Sequence, residues 1–104
     1  MNITTNQADG KTVIRIEGDL LIASVAEAKP AIVAAIGQGN DILLDLRDVG
    51  ECDTAGIQLL LMARSGARLR GKKLWTTIQS ETFRSAVARV GIIAGCFEIE
   101  EGTA

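Results

Sequence analysis

The side chains best suited to chemistry are Asp53 and Thr54, a carboxylate followed directly by a hydroxyl. A threonine hydroxyl can be phosphorylated, which adds about 1.5 to 2 negative charges at neutral pH. Aspartate and threonine are also favoured helix caps, because their side-chain oxygens accept a hydrogen bond from an amide of the first helical turn. The pair therefore admits two interpretations, a phosphorylation site and a helix cap.

A change in hydrophobic spacing predicts the elements that position this pair. Residues 42–46 form a short apolar run, as in a buried strand, and the turn-forming residues 47–50 follow it. From Asp53 onward the apolar residues take helical spacing, at Ile57, Leu60 and Leu61. Asp53 and Thr54 are therefore predicted at a helix N-terminus beyond the carboxyl end of a strand. Partners usually bind at that edge of an α/β sheet, and the first-turn amides there can stabilise a phosphate.

The rest of the chain alternates strand and helix patterns. Residues 1–5 can pair with a half-buried strand at 12–17 across the Asp9-Gly10 turn. A connector at 18–23 precedes a predicted helix over residues 25–36. Ser24 and Glu27 form the capping-box pattern of that helix, and Pro30 predicts either a kink or a helix proper that begins near it.

Further elements follow the central strand and helix. Gly71 is the predicted end of that helix, a strand is predicted at 72–78, and Ser80 opens a third helix with its apolar face at Phe83, Ala86, Val87 and Val90. Gly91 stops it, 96–99 is a weak closing strand, and 100–104 is a frayed tail. This order predicts one α/β domain over residues 1–104. Its single-layer, mostly parallel sheet has an antiparallel N-terminal edge strand and helices packed on it.

The motif around Asp53 resembles a known signature. The run DTAGI at 53–57, with Asp45-Leu46 and Val49 before it and Leu60-Leu61 after it, looks like the signature of STAS domains, the family of anti-sigma factor antagonists. In these antagonists a partner kinase, which is also the anti-sigma factor, phosphorylates the hydroxyl residue directly after the aspartate. The matching position is Thr54, where threonine replaces the commoner serine.

The resemblance implies a non-enzymatic bacterial module that acts in partner switching, signal transduction and transcription regulation. Its partner would be an anti-sigma factor, a serine/threonine kinase or a related ATP-binding protein. The implied docking residues are Asp19, Asp48, Glu51, Asp53, Thr54, Ala55, Gly56 and Gln58. Chemotaxis adaptors are a variant of this role. The same motif also resembles that of the STAS subunits of bacterial ABC phospholipid transporters. In that role Thr54 would contact the transporter ATPase without being phosphorylated.

Composition narrows the function classes. The 104 residues are 47% hydrophobic and 23% charged, which is typical of a globular chain. Apolar stretches stop well short of the roughly 20 residues of a membrane span, and no signal segment is recognisable, so we expect a cytoplasmic protein without membrane insertion. A net charge of −2 gives no reason to expect nucleic acid. The absence of histidine excludes histidine-dependent triads and metal sites and argues against an enzyme.

Other candidate sites have plainer alternatives. Asp45, Asp48 and Asp53 are of the type that holds Mg²⁺, but aspartates at turns and strand ends commonly satisfy backbone groups, so we predict no metal and no cofactor. Cys52 could sense redox state or simply fill the core; with Cys96 it forms no metal-like spacing, and we expect free thiols. Gly56 lies in a first helical turn, which indicates either tight packing or a close partner.

A basic stretch follows the central helix. Gly66, Gly71 and Lys72 match the opening of a phosphate-binding loop, but Lys73 replaces the required serine or threonine. The stretch also leaves a predicted helix and enters a strand, which is the reverse of the order such a loop needs. We predict that these cations form a solvated helix end in preference to a binding patch. They are Arg64, Arg68, Arg70, Lys72 and Lys73.

Overall fold

The computed structural model describes residues 1–90, which form four strands and three helices. In chain order they are β1 (Asn2–Ala8), β2 (Lys11–Leu20), α1 (Ile22–Gly37), β3 (Asp41–Cys52), α2 (Thr54–Leu69), β4 (Leu74–Gln79) and α3 (Glu81–Val90). The predicted helix stop at Gly91, the closing strand at 96–99 and the tail at 100–104 lie outside the described residues.

The strands form a single sheet in the order β1-β2-β3-β4. β1 is antiparallel to β2, and the other two pairings are parallel. The predicted hairpin is confirmed: Asp9 and Gly10 both have positive φ, at 52° and 75°, as a two-residue hairpin turn requires. The predicted α/β fold with an antiparallel N-terminal edge strand is therefore confirmed.

One face of the sheet carries the core. Parallel neighbours β2, β3 and β4 need crossover connections, and because such crossovers are right-handed, α1 and α2 lie on the same face of the sheet and contact each other. On β2, Ile14 and Ile16 point into the core, whereas Arg15 between them stays partly exposed. Within residues 1–90, no helix combines the length and the hydropathy needed to cross a membrane.

The central strand is longer than the sequence predicted. Residues 47–50 were expected to form a turn, but β3 continues through them to Cys52 and pairs with the last residues of β2. The register against β4 shifts between Leu44 and Leu46, and Leu46 is the last residue of β3 that is paired with β4. Among residues 1–90, the final part of β3 pairs with β2 only. Val49 and Cys52 are buried there at 3% and 5% exposure, and this burial favours extended structure over a surface turn.

The start of α1 also differs from the prediction. The expected connector at 18–23 is wrong, since β2 reaches Leu20 and α1 begins at Ile22. Ser24 does not cap the helix: it lies in the first turn, and its amide donates to the Leu21 carbonyl at 2.7 Å. The N-cap residue, Leu21, supplies no side-chain hydrogen bond.

Pro30 lies inside α1 without ending it. The prediction that the helix proper begins near Pro30 is wrong, because residues 22–29 are already helical. Pro30 is exposed, so its ring projects from the solvent side of the helix, where the neighbouring carbonyl can bond to water. The helix predicted over residues 25–36 ends one residue beyond that range, with Gly37 the last residue of α1 and Gly39 at a φ of 77°.

The third helix begins as predicted, and its cap can be tested. The Ser80 hydroxyl accepts a hydrogen bond from the Phe83 amide at 3.0 Å, and Phe83 is fully buried. Ala86 and Val87 share its buried face, while the side chain of Val90 lies outside the described ones.

Removing this cap should lower stability. We expect Ser80→Ala to reduce the free energy of unfolding by about 1 kcal/mol, measured by urea denaturation, because the hydrogen bond from the Phe83 amide to the Ser80 hydroxyl is lost. Ser24→Ala is the matched control, since Ser24 is helical without a capping role, and it should change stability by less than about 0.5 kcal/mol. Equal losses for the two variants would contradict the assignment of the caps.

Candidate functional site

The site forms where two strands end and two helices begin. Leu20 and Cys52 are paired at the carboxyl ends of β2 and β3, and the Asp53 amide donates to the Leu20 carbonyl at 3.3 Å. α1 and α2 therefore start side by side at the carboxyl edge of the sheet. The predicted position of Asp53 and Thr54 at this edge is confirmed.

Asp53 caps both helices at once. Its Oδ1 accepts a hydrogen bond from the Gly56 amide of α2 at 3.0 Å. Its Oδ2 accepts one from the Ile22 amide of α1 at 2.9 Å, across 31 positions of sequence. These bonds favour the ionised carboxylate and hold the pKa of Asp53 below its ordinary value, with the Gly56 bond the larger cause.

Asp53 should therefore contribute stability that depends on pH. Because its pKa is lower in the folded chain than in the unfolded one, this stability is present above the unfolded pKa, about 3.9. It is lost as the pH falls through the folded pKa. We expect Asp53→Asn to lower the urea midpoint at pH 7 and to flatten the loss of stability on acidification. The asparagine side chain has a single acceptor oxygen, whereas the backbone N–H groups of Gly56 and Ile22 each need one.

Asp9→Asn is the control for this measurement. Asp9 is an exposed hairpin residue, and asparagine tolerates its positive φ as well as aspartate does. It should leave the midpoint nearly unchanged. An identical pH profile for Asp53→Asn and the native chain would contradict the double cap.

Thr54 is the first residue of α2 and is exposed. Within residues 1–90, its hydroxyl makes no hydrogen bond, and the cap of α2 belongs to Asp53. The helix-cap interpretation therefore applies to Asp53, and phosphorylation of Thr54 stays a prediction. The hydroxyl of Thr54 is free to meet a macromolecule.

The structure gathers most of the predicted docking residues here. Glu51 and Gln58 are exposed, and Ala55 is half-buried. Asp19 lies at the same edge, where its carboxylate accepts a hydrogen bond from the Glu51 amide at 2.9 Å. Asp48 does not join them: its carboxylate is bound by Arg15 on the sheet face opposite the helices.

Gly56 is buried, and its packing accounts for the glycine. A Cβ at this position would lie less than 3.0 Å from the Leu20 carbonyl oxygen, 2.9 Å from Leu20 Cγ and 3.1 Å from Cys52 Sγ. The first turn of α2 therefore rests directly on the end of β2. Of the two interpretations of Gly56, tight packing is the one that the geometry supports.

The remaining candidate sites hold little chemistry. Within residues 1–90, no three metal-ligating side chains are grouped to hold an ion. The Asp45 carboxylate binds the Arg47 side chain at 3.0 Å. Burial, and to a smaller extent the charge of Asp53, raises the pKa of the Cys52 thiol to about 11, so the thiol is protonated and unreactive at neutral pH. Cys96 lies outside the described residues.

The basic stretch closes α2. The Gly71 amide donates to the Arg68 carbonyl and the Lys72 amide to the Ala67 carbonyl, both at 2.9 Å, which is a Schellman motif with Gly71 at a φ of 71°. The predicted glycine terminus is therefore confirmed. An apolar groove of about 470 Å³ lies nearby, at the carboxyl ends of α1 and α2 and away from Thr54; it is lined by Val33, Ile36, Met62, Gly66, Leu69 and Arg70.

Sequence reasoning missed Ile22. This side chain is 73% exposed at the start of α1, beside Asp53. It stands outside the apolar stripe of its helix, and a lone isoleucine in a predicted connector carries no signal of function. Its position became visible only with the hydrogen bond from its amide to Asp53.

The chain belongs to the STAS domain family. The family model described as "Mlab, STAS domain" matches residues 3–94. No curated protein matches the sequence.

Solved structures share the fold across nearly the whole chain. The anti-sigma factor antagonist SpoIIAA in its unphosphorylated form is 19% identical, with a TM-score of 0.76, over 98% of this chain and 90% of that one. The phosphorylated form from Bacillus is 20% identical, with a TM-score of 0.71, over 98% and 93%. An anti-sigma factor antagonist from Mycobacterium paratuberculosis is 14% identical, with a TM-score of 0.83, over 98% and 86%. At these identities the likeness establishes the fold.

Proposed function

We propose that this chain is a non-enzymatic, cytoplasmic binding module that docks an anti-sigma factor or serine/threonine kinase and is released when Thr54 is phosphorylated. The observation that carries the proposal is the free, exposed hydroxyl of Thr54 at the first position of α2. The likeness to SpoIIAA, which has been solved in unphosphorylated and phosphorylated forms, supports it. In this role the nucleotide and its metal ion belong to the partner.

The charges around Thr54 explain how one phosphate could act as a switch. The helix N-terminus is not an empty anion site, because the Asp53 carboxylate already accepts from the Gly56 and Ile22 amides. A phosphate adds about 1.5 to 2 negative charges beside this carboxylate and the exposed Glu51. A partner surface fitted to the neutral hydroxyl then meets a larger group and uncompensated charge, and the complex dissociates.

The experiment is affinity purification of the full chain followed by mass spectrometry. Trypsin cleaves after Arg47 and Arg64, and Thr54 is the only hydroxyl residue in the peptide 48–64. Any phosphate on that peptide is therefore assigned to Thr54 without fragmentation. We expect an ATP-binding partner of the histidine-kinase type to copurify, and this peptide to gain one phosphate when the partner and ATP are added.

Thr54→Ala is the control and should abolish the labelling of the peptide. Copurification of an ABC transporter ATPase, without phosphate on Thr54, would instead support the transporter role. Phosphate found only on peptides elsewhere in the chain would contradict the assignment of the switch to Thr54.

A further inference from the structure

A large apolar side chain stands exposed beside the proposed switch. Ile22 is 73% exposed although it begins α1, the helix that packs directly against the sheet. Among residues 1–90, the other strongly exposed isoleucine is Ile78 of β4, which is 48% exposed at the edge of the four-stranded sheet. Single exposed apolar residues are common on protein surfaces, so the position of Ile22 is what gives it meaning.

Asp53 fixes Ile22 next to Thr54. The Ile22 amide donates to Asp53 Oδ2 at 2.9 Å, and Asp53 is joined by one peptide bond to Thr54. Because the same carboxylate caps α2 through Gly56, both first turns are held against each other at the sheet edge. A docked protein typically covers about 800 Å² of its partner, so one that reaches the hydroxyl of Thr54 can also cover the side chain of Ile22.

The surroundings of Ile22 are acidic. The carboxylates at this edge belong to Asp19, Glu51 and Asp53. The Glu51 amide donates to Asp19, and Asp53 accepts from the amide of Ile22 itself. The first turns of α1 and α2 carry no lysine or arginine. Among residues 1–90, the positive charge of Arg89 on α3 also reaches this end, where it offsets a small part of the rise in the pKa of Cys52, but it stands against three carboxylates. A complementary surface has an apolar pocket with cations at its border.

We propose that Ile22 is the apolar anchor of the Thr54 docking surface, and that its partner receives it in an apolar pocket bordered by lysine or arginine. The inference rests on the proposed function and adds the residue that supplies affinity and the chemistry of the surface that binds it. Interface affinity concentrates in a few well-buried side chains, and the polar residues around them exclude water. Ile22 holds the first role, and the acidic residues around it hold the second.

The test uses the ATP-binding protein recovered by affinity purification, titrated calorimetrically with the full chain and its variants. Ile22→Ala should weaken binding about ten- to thirtyfold, since it removes most of the side chain that the partner's pocket would bury. Ile78→Ala, the matched change at another exposed isoleucine, should stay within about twofold. Ile22→Leu should bind nearly as well as the native chain. Affinity should also fall as salt is raised, because cations face the carboxylates.

The outcomes separate this inference from the function on which it rests. If Ile22→Ala stays within twofold of the native chain while Thr54→Glu weakens binding, the anchor is overturned and the switch survives. Equal weakening by Ile22→Ala and Ile78→Ala also overturns it, because the effect is then not specific to this surface. If the native chain binds no such protein, both proposals fall together. Circular dichroism of each variant checks that the fold is intact.

Discussion

Gly56→Ala is expected to lower the free energy of unfolding by about 2 to 3 kcal/mol, as overpacking of a rigid site does. The added Cβ would lie less than 3.0 Å from the Leu20 carbonyl oxygen, which is backbone and cannot rotate away. Leu20 is held in turn by its pairing with Cys52 and by the hydrogen bond from the Asp53 amide. Either α2 must move off β2 or the sheet edge must open.

Gly66→Ala is the matched control within the same helix. A Cβ there would lie 3.2 Å from Ile36 Cδ1, the far end of a flexible side chain that can give way. Alanine also gains about 1 kcal/mol of helix propensity over glycine, so the net change should stay within about 1 kcal/mol. Urea denaturation measures both variants. Similar changes in stability for the two variants would mean that the contact with Leu20 does not set the role of Gly56.

Local patterns predicted the order of the elements. The hairpin followed from Asp9-Gly10, which can adopt the positive φ of a two-residue turn. The end of α2 followed from Gly71 and the start of α3 from Ser80, whose capping bond spans three residues. Each of these signals is contained within a few neighbouring residues, so it can be recognised without the fold.

The errors lie where distant residues decide the structure. β3 continues past Gly50 because it pairs with the end of β2. Position 50 suits a glycine because a Cβ there would collide with the side chain of Asp19. α1 begins at Ile22 because Asp53, 31 residues later, accepts its amide. Ser24 offered a complete local cap, but the long-range carboxylate determines the observed start.

The candidate site was predicted in position but not in its division of roles. Aspartate and threonine are both good caps, and only the coordinates show that Asp53 caps two helices while Thr54 caps none. Asp48 was grouped with the docking residues by its place in the chain, yet the register shift between Asp45 and Asp48 turns its side chain toward Arg15 on the far face. Ile22 carried no pattern that could have singled it out.

Thr54→Glu is expected to reduce the affinity for the ATP-binding partner at least tenfold, which corresponds to about 1.4 kcal/mol of binding free energy. The added carboxylate extends toward the partner and joins Asp53 and the exposed Glu51. Glutamate carries one charge where a phosphate carries nearly two, so the loss for the variant is a lower limit for the modified chain. Calorimetric titration measures the affinity directly.

The fold should tolerate this substitution, which makes the binding result interpretable. An acidic side chain in the first turn of α2 interacts favourably with the helix dipole, and position 54 is exposed. Thr54→Ala removes the hydroxyl without adding charge, so it should bind within about twofold of the native chain while accepting no phosphate. The contrast between the two variants isolates the charge, because both lose the hydroxyl and only one gains a carboxylate. Equal affinities for Thr54→Glu and Thr54→Ala would mean that charge at this position does not control docking.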